Sequence, residues 1–214
     1  MERIVIRNER KGDYERVEEI TREAFYNVYV PGCVEHYLVH VMRNHEDFMP
    51  ELDFVLELNG AVIGNIMYTK AFLTGEDGRR KEILTFGPVC ILPKYQRRGY
   101  GKMMMEHSFR KALDLGYDAI VIFGSPVNYA GCGFKSCRKF SVSIQGGLYP
   151  AAMMVKELVP GALEGRTWMY QGSSAMEISE EEARKYDDTF APKERSYQPS
   201  QEEFYIMSHS FVQD

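Results

Sequence analysis

Ten residues in the middle of the chain, PKYQRRGYGK at positions 93–102, constrain the fold more than any other segment. They follow the apolar run FGPVCIL and precede a stretch in which apolar residues recur at helical spacing. This order predicts a strand, a tight turn and a helix. Glycines at 99 and 101 let the main chain approach a ligand closely, and the first turn of a helix adds unpaired N–H groups. The segment therefore predicts an anion-binding site where the helix begins.

Spacing excludes two common phosphate-binding motifs. A Walker A loop has the pattern G-x-x-x-x-G-K-[ST], whereas Lys102 is followed by Met103 and no glycine stands five residues before Gly101. A dinucleotide-binding fingerprint needs a further glycine three residues after Gly101, and Met104 occupies that position. The basic turn is thus neither a P-loop nor a Rossmann motif.

The charge distribution favours one localised anionic ligand. The 214-residue chain has a formal net charge of −5, which argues against nucleic acid as a partner. Residues 79–111 nevertheless contain nine Lys or Arg and only two acidic residues, whereas residues 161–214 contain eleven acidic and five basic residues. A basic region within an acidic protein concentrates a positive field at one place, where it attracts a counter-ion.

Length and composition predict one intracellular domain with an appendage. At 214 residues and 44% hydrophobic composition, the chain can bury one substantial core. No run approaches 18 apolar residues and the N-terminal segment is charged, so we expect cytoplasmic localisation and no membrane partner. The four cysteines form no C-x-x-C pair, which favours reduced thiols and disfavours a zinc site.

Periodicity in the N-terminal half predicts strands and helices in a definite order. After a strand in RIVIRNE, Asp13 caps a helix that runs to about Asn27, and a second helix covers about 34–44. The segment DFVLELNGAVIGNIMYTKAF predicts a hairpin with a type I′ turn at Asn59-Gly60. Within the strand KEILTFGPVCIL, Pro88 predicts a bulge or a splayed strand, because proline interrupts ladder hydrogen bonds.

The C-terminal half predicts a crossover and then an extension. A helix from Gly99 to about Leu115, followed by the strand YDAIVIFG, predicts parallel strand pairing. KFSVSIQ and AMMVKEL predict closing strands, and a boundary is expected near residue 160. Beyond it, the segment 168–170 is expected to dock onto the core, and capping boxes beginning at Ser179 and Ser200 predict two helices.

At this point the residues match a known family. The run VCILPKYQRRGYGKMMMEHSFRKALDLGYDAIVIFG resembles the signature segment of the GNAT superfamily of acyl-CoA N-acyltransferases, whose pattern [Q/R]-x-x-G-x-[G/A] opens a helix. A second landmark is Tyr129, four residues before the pair Gly133-Phe134. With FGPVCILPKYQRRGYG, YAGCGF and ELVPGAL, the chain is most similar to the bacterial YhbS-type predicted acetyltransferases over about residues 1–163.

The resemblance implies a fold and a cosubstrate. The expected fold is α/β, with a mixed central sheet of about seven strands, a splayed parallel pair, flanking helices and a C-terminal helical extension. The GNAT domain would cover 1–160 and the extension 161–214. The expected cosubstrate is acetyl-CoA, without a metal ion. The residues expected to bind it are Val89, Cys90 and Ile91 along the pantetheine arm, and Gln96, Arg97, Arg98, Gly99, Tyr100, Gly101 and Lys102 around the pyrophosphate.

The resemblance also implies a reaction, in which a primary amine of a small molecule or an exposed amino group attacks the thioester. Tyr129 matches the family tyrosine and is expected to act as the general acid. Glu82, Glu57 and a water relay are alternatives for the base. Cys132 is interpreted as a packing residue rather than a nucleophile.

Other interpretations stay open at this stage. His36 and His40 are interpreted as an exposed helical face rather than a metal pair. A non-catalytic acyl-CoA-binding sensor or assembly module is the main alternative to an enzyme. An interaction protein with no acceptor is a third, and a homodimer is possible.

Overall fold

A computed structural model describes residues 2–213 of the chain. In this range one mixed sheet of nine strands is flanked by helices. The strands are β1 (Ile4–Asn8), β2 (Phe54–Leu58), β3 (Ala61–Gly75), β4 (Arg80–Ile91), β5 (Ala119–Phe123), β6 (Lys135–Ser136), β7 (Val142–Ser143), β8 (Met153–Glu157) and β9 (Trp168–Gln171). The helices are α1 (Tyr14–Phe25), α2 (Glu35–Met42), α3 (Tyr100–Asp114), α4 (Pro126–Tyr129), α5 (Glu180–Asp187) and α6 (Pro199–Ser208).

The sheet follows the order β1-β2-β3-β4-β5-β8-β6, while β9 pairs with both β3 and β7. Asn59 and Gly60 have φ angles of 53° and 84°, which confirms the type I′ hairpin between β2 and β3. The predicted strand KFSVSIQ was too long. Only Val142–Ser143 is extended, because Cys137–Phe140 forms a 3₁₀ turn.

The parallel strands β4 and β5 diverge soon after the point at which they pair. Its only paired register position is Leu84 with Ile120. The register of β4 against β3 shifts where Gly87 and Pro88 lie opposite Met67, which confirms the predicted irregularity. From Thr85 onward, the β5-facing edge of β4 has no strand partner among residues 2–213. The main-chain groups on that edge are therefore available to a ligand.

Helix α1 forms because its apolar residues share one face, where Val17 and Ile20 are fully buried. Burying such a side chain contributes about 1.5–3 kcal/mol. The predicted cap was wrong in its mechanism, since the Asp13 carboxylate makes no capping hydrogen bond to α1. It accepts the Arg10 N–H at 2.8 Å and pairs with Arg7 at 2.6 Å. The helix also ends at Phe25, two residues earlier than expected.

The C-terminal region is attached to the core by a strand as well as by helices. Trp168 is buried and its indole N–H donates to the carbonyl of Leu163 at 3.1 Å, so β9 docks onto the sheet as expected. Ser179 caps α5 by accepting the N–H of Glu182 at 3.3 Å. Ser200 does not cap α6, which begins at Pro199. Its hydroxyl instead donates to a main-chain carbonyl beyond the end of α1.

Candidate active site

The start of α3 presents a group of unpaired main-chain donors. Gly99 lies before the first helical residue with a φ of 87°, a left-handed conformation that favours glycine. The first N–H bonded within the helix is that of Met103, which donates to the Gly99 carbonyl at 3.0 Å. The N–H groups of Tyr100, Gly101 and Lys102 therefore have no helical partner, and no side chain within residues 2–213 caps this end. Together they form an anion-binding terminus.

Gly101 is not required by the fold itself. Its φ is not in the positive range, and a Cβ built on it would meet only the Ile91 side chain, at an ordinary contact distance of 3.7 Å. Alanine normally stabilises a helix relative to glycine by about 1 kcal/mol. A glycine that the surrounding protein does not demand indicates close approach by a ligand.

The side chains of this turn divide into structural and exposed groups. The Gln96 amide donates to the carbonyl of Ile91 at 2.9 Å and so ties the turn to the end of β4. The Tyr100 ring is buried and its hydroxyl donates to Glu2 at 3.2 Å, which leaves only its main-chain N–H for a ligand. Three side chains remain exposed beside the donors: Arg97, Arg98 and Lys102.

The open edge of β4 begins at Thr85 and runs towards the start of α3. Along it lie the predicted residues Val89, Cys90 and Ile91. The Cys90 thiol is buried and lies 3.5 Å from the Thr21 hydroxyl, and burial raises its pKa to about 11. It is therefore a neutral packing group at physiological pH. The start of α3 lies beside the end of this edge, because a Cβ built on Gly101 would lie 3.7 Å from the Ile91 side chain.

Tyr129 lies at the end of α4, beyond the end of β5, and is half-buried. Its ring packs against Phe86 and Phe134, with centroid separations of 5.8 and 6.0 Å. Gly124 makes room for it, because a Cβ there would lie 2.5 Å from the ring. Burial raises the pKa of the hydroxyl above its ordinary value, and that hydroxyl has no hydrogen-bond partner within 2–213. It is a protonated and unengaged donor.

A family model described as the acetyltransferase (GNAT) family matches residues 14–134. This match covers more than half of the chain and includes both the basic turn and Tyr129. The chain belongs to the GNAT family of acetyltransferases. YjhQ of Escherichia coli K12, called an uncharacterized N-acetyltransferase, is 26% identical over 128 residues, or 59% of this chain and 67% of YjhQ.

Two solved GNAT structures share the fold. The Escherichia coli protein YhbS, crystallised in complex with CoA, has a TM-score of 0.71 at 21% identity and covers 83% of this chain and 94% of its own. A GNAT acetyltransferase from Brucella melitensis, crystallised with acetyl-CoA, has a TM-score of 0.63 at 22% identity, with coverages of 81% and 97%. These likenesses confirm the α/β GNAT fold and the resemblance to YhbS.

Neither carboxylate considered as a base contacts Tyr129 in this GNAT chain. Glu82 is exposed near the beginning of β4 and accepts the Tyr117 hydroxyl at 2.7 Å. Glu57 on β2 accepts Arg7 at 2.7 Å. Both side chains have partners away from the open edge of β4. Of the three alternatives for the base, a water relay is the one that these contacts do not disfavour.

The histidines of α2 do not both lie on an exposed face, so that interpretation was wrong for His36. Its side chain is fully buried against the C-terminal extension, 3.3 Å from Asp187, and burial lowers its pKa to about 4. His40 is half exposed and contacts Glu18 at 3.1 Å. Among the described residues, no group of three or more His, Cys, Asp or Glu side chains could hold a metal ion.

A second set of residues contributes to the surroundings of Tyr129 and has no signal in the sequence. Tyr29 lies just beyond α1, and its electrostatic interaction with Tyr129 contributes to the raised pKa of Tyr129. The Tyr29 ring packs against Phe204 of α6 at a centroid distance of 4.6 Å. Burial and the charge of Glu35, at the start of α2, raise the pKa of Tyr29. No local pattern marks these residues, because they are brought together from three distant segments.

In the range 2–213, no helix has the length and apolar composition needed to cross a lipid bilayer.

Proposed function

We propose that this GNAT protein binds acetyl-CoA along the open edge of β4 and at the start of α3. Main-chain groups of Val89 and Ile91 pair with the pantetheine arm as an added strand would, whereas those of Cys90, between them, face β3. The unpaired N–H groups of Tyr100, Gly101 and Lys102 hold the pyrophosphate. The presence of CoA and acetyl-CoA in the two structures of the same fold supports this assignment.

The single observation that carries the proposal is the continuity of these two features. The Gln96 side chain bonds the end of β4 to the basic turn, so the strand edge leads directly to the helix start. A ligand that fits both needs an extended amide-containing arm and an anionic diphosphate. CoA has both parts. Arg97, Arg98 and Lys102 add positive charge beside the diphosphate end.

The reaction that fits this arrangement is direct transfer to a primary amine. The neutral amine attacks the thioester carbonyl, a C–N bond forms and the C–S bond breaks. Tyr129 donates its proton to the departing thiolate and regains one from solvent, while the amine proton leaves through a base or water chain. A tyrosine hydroxyl is protonated at neutral pH, as the proposed acid must be, and burial raises the pKa of Tyr129 further.

The proposal is tested by calorimetry with CoA and by thiol release from acetyl-CoA over a panel of amines. Gly101→Glu places a carboxylate at the helix start and should abolish CoA binding without unfolding the chain. Gly12→Glu is the matched control, because a Cβ added to Gly12 would meet no atom within 4 Å and the φ of Gly12 is not positive. Unchanged affinity in Gly101→Glu would contradict the assigned diphosphate position.

A second candidate is a non-catalytic acyl-CoA-binding module. The observation that favours it is the engagement of Glu82 with Tyr117 and of Glu57 with Arg7, which leaves neither carboxylate beside Tyr129. The same experiment separates the two candidates. CoA binding without thiol release over a broad amine panel supports the module, whereas amine-dependent release supports the enzyme.

A further inference from the structure

The open edge of β4 has one closed end. There Leu84 pairs with Ile120 of β5, and the two strands diverge from Thr85 onward. Residues 85–91 extend over about 20 Å, at about 3.3 Å per residue, towards the start of α3. The pantetheine arm of CoA has about as many chain bonds as an extended peptide of four or five residues, which corresponds to about 15 Å. In the proposed complex, an acyl group on the sulfur therefore lies near Thr85.

The first two residues of this edge face opposite sides of the sheet, because side chains alternate along a strand. On one side, Phe86 packs against the ring of Tyr129 at a centroid distance of 5.8 Å. On the other side, Thr85 is buried. Burial raises the pKa of the Tyr170 hydroxyl, and a hydrogen bond with the Thr85 side chain offsets part of this rise. The closed end thus has a tyrosine on each side of β4.

Tyr170 crosses the sheet to reach this place. It belongs to β9, which pairs with β3, whereas β4 lies between β3 and β5. The Tyr170 ring nevertheless packs against Phe123 of β5, with centroids 5.7 Å apart. A contact from β9 to β5 has to pass over the face of β4. Since Phe123 stands three positions beyond Ile120, the two rings cover the cleft just past its closed end.

The wall formed by Tyr170 and Phe123 is held in place by the fold. Tyr170 pairs with Leu73 of β3, and its side chain packs against an apolar cluster that includes Trp168. The ring is therefore not free to swing away from β4. Tyr170 also lies outside residues 14–134, which the family model matches. One side of the cleft is thus supplied by the C-terminal extension rather than by the segment that carries the family motifs.

We propose that Tyr170 and Phe123 limit the acyl group of the cosubstrate to about two or three carbons, the length that fits in the remaining 5 Å or so of the cleft. This inference rests on the proposed function, which places the pantetheine arm along β4. A longer acyl chain would meet the strand pair at its end and the two rings at its side. The protein therefore selects acetyl- or propionyl-CoA over longer acyl-CoA thioesters.

The test compares the affinities of acetyl-CoA and hexanoyl-CoA by calorimetry, which requires no acceptor. The wild-type protein should bind hexanoyl-CoA about 10- to 100-fold more weakly, because forcing extra methylene groups into a packed site is unfavourable. Tyr170→Ala should remove most of this difference by strengthening hexanoyl-CoA binding, with little change for acetyl-CoA. Tyr170→Phe keeps the ring and should discriminate as the wild type does.

Phe140→Ala is the matched control, because it removes an aromatic ring that packs against the same apolar cluster from the 3₁₀ turn before β7. It should keep the preference for acetyl-CoA. If Tyr170→Ala does not fold, Phe123→Ala decides by the same comparison, since the Phe123 ring is 51% exposed and forms the other part of the wall.

Equal affinities for the two thioesters in the wild type overturn this inference, and so does a preference that persists in Tyr170→Ala and Phe123→Ala. Both results leave the proposed function intact, because acetyl-CoA still binds. Absence of binding by CoA and acetyl-CoA to the wild type refutes the proposed function and this inference together.

Discussion

Replacing Gly101 by alanine should move stability and cosubstrate affinity in opposite directions. The added methyl group contacts Ile91 at an ordinary distance of 3.7 Å, so the protein accommodates it without rearrangement. Removing a glycine from the first turn of a helix stabilises the fold by about 0.5–1 kcal/mol, or a rise in Tm of about 1–4 °C for a chain of this size. The fold therefore gains from this substitution.

In the proposed CoA complex, the same methyl group would lie where the diphosphate approaches the helix start. If it removes one hydrogen bond to a charged phosphate oxygen, the loss is about 1.5–3 kcal/mol, which weakens CoA binding about 10- to 100-fold. Urea denaturation and calorimetry with CoA on the same preparation measure the two effects. Glycine at this position would then serve the ligand at a cost to the helix.

Gly99→Ala is the matched control, two residues earlier. Its φ of 87° is unfavourable for alanine, and the strain should cost about 1–2 kcal/mol of stability while also disturbing the donors. Both quantities should fall together in this variant. A wild-type Kd for CoA in Gly101→Ala, or a stability as low as that of Gly99→Ala, would refute the role assigned to Gly101.

Three further predictions concern catalysis, stability and acceptor binding. Tyr129→Phe should lower kcat about 10- to 10³-fold with little change in the KM for acetyl-CoA. The wild-type kcat should decline only above about pH 10, because burial raises the pKa of Tyr129. Burial and a hydrogen bond with Glu9 raise the pKa of Asp53, so its contribution to stability is complete below about pH 4 and is lost as pH rises. Asp53→Asn should therefore be more stable than the wild type by about 1–3 kcal/mol at pH 8 and equal to it near pH 4, as measured by urea denaturation. Phe204→Ala should raise the KM for the acceptor up to about 10-fold at unchanged CoA affinity, because Tyr29 loses its packing partner. An unchanged KM in steady-state kinetics would exclude α6 from the acceptor site.

The strand, turn and helix around Gly99 could be predicted from sequence because each depends on residues close together in the chain. Glycine in the left-handed conformation, the Asn59-Gly60 turn and the irregularity at Pro88 all follow from local steric limits. The family motif adds the expectation for Tyr129 in the same way. Capping was less predictable, since Asp13 could either cap α1 or pair with Arg7, and only the folded chain brings that arginine within 2.6 Å.

The packing around Tyr29, in contrast, was decided by tertiary structure. Tyr29 and Phe204 are far apart in the sequence and share no motif or period. Their proximity arises because the C-terminal segment packs across the end of α1 through Ser200 and Gln201. The burial of His36 depends on a different part of the C-terminal region, since Asp187 of α5 lies 3.3 Å from it. A sequence pattern records the geometry of one element, whereas burial and the pairing of charges depend on which elements meet in space.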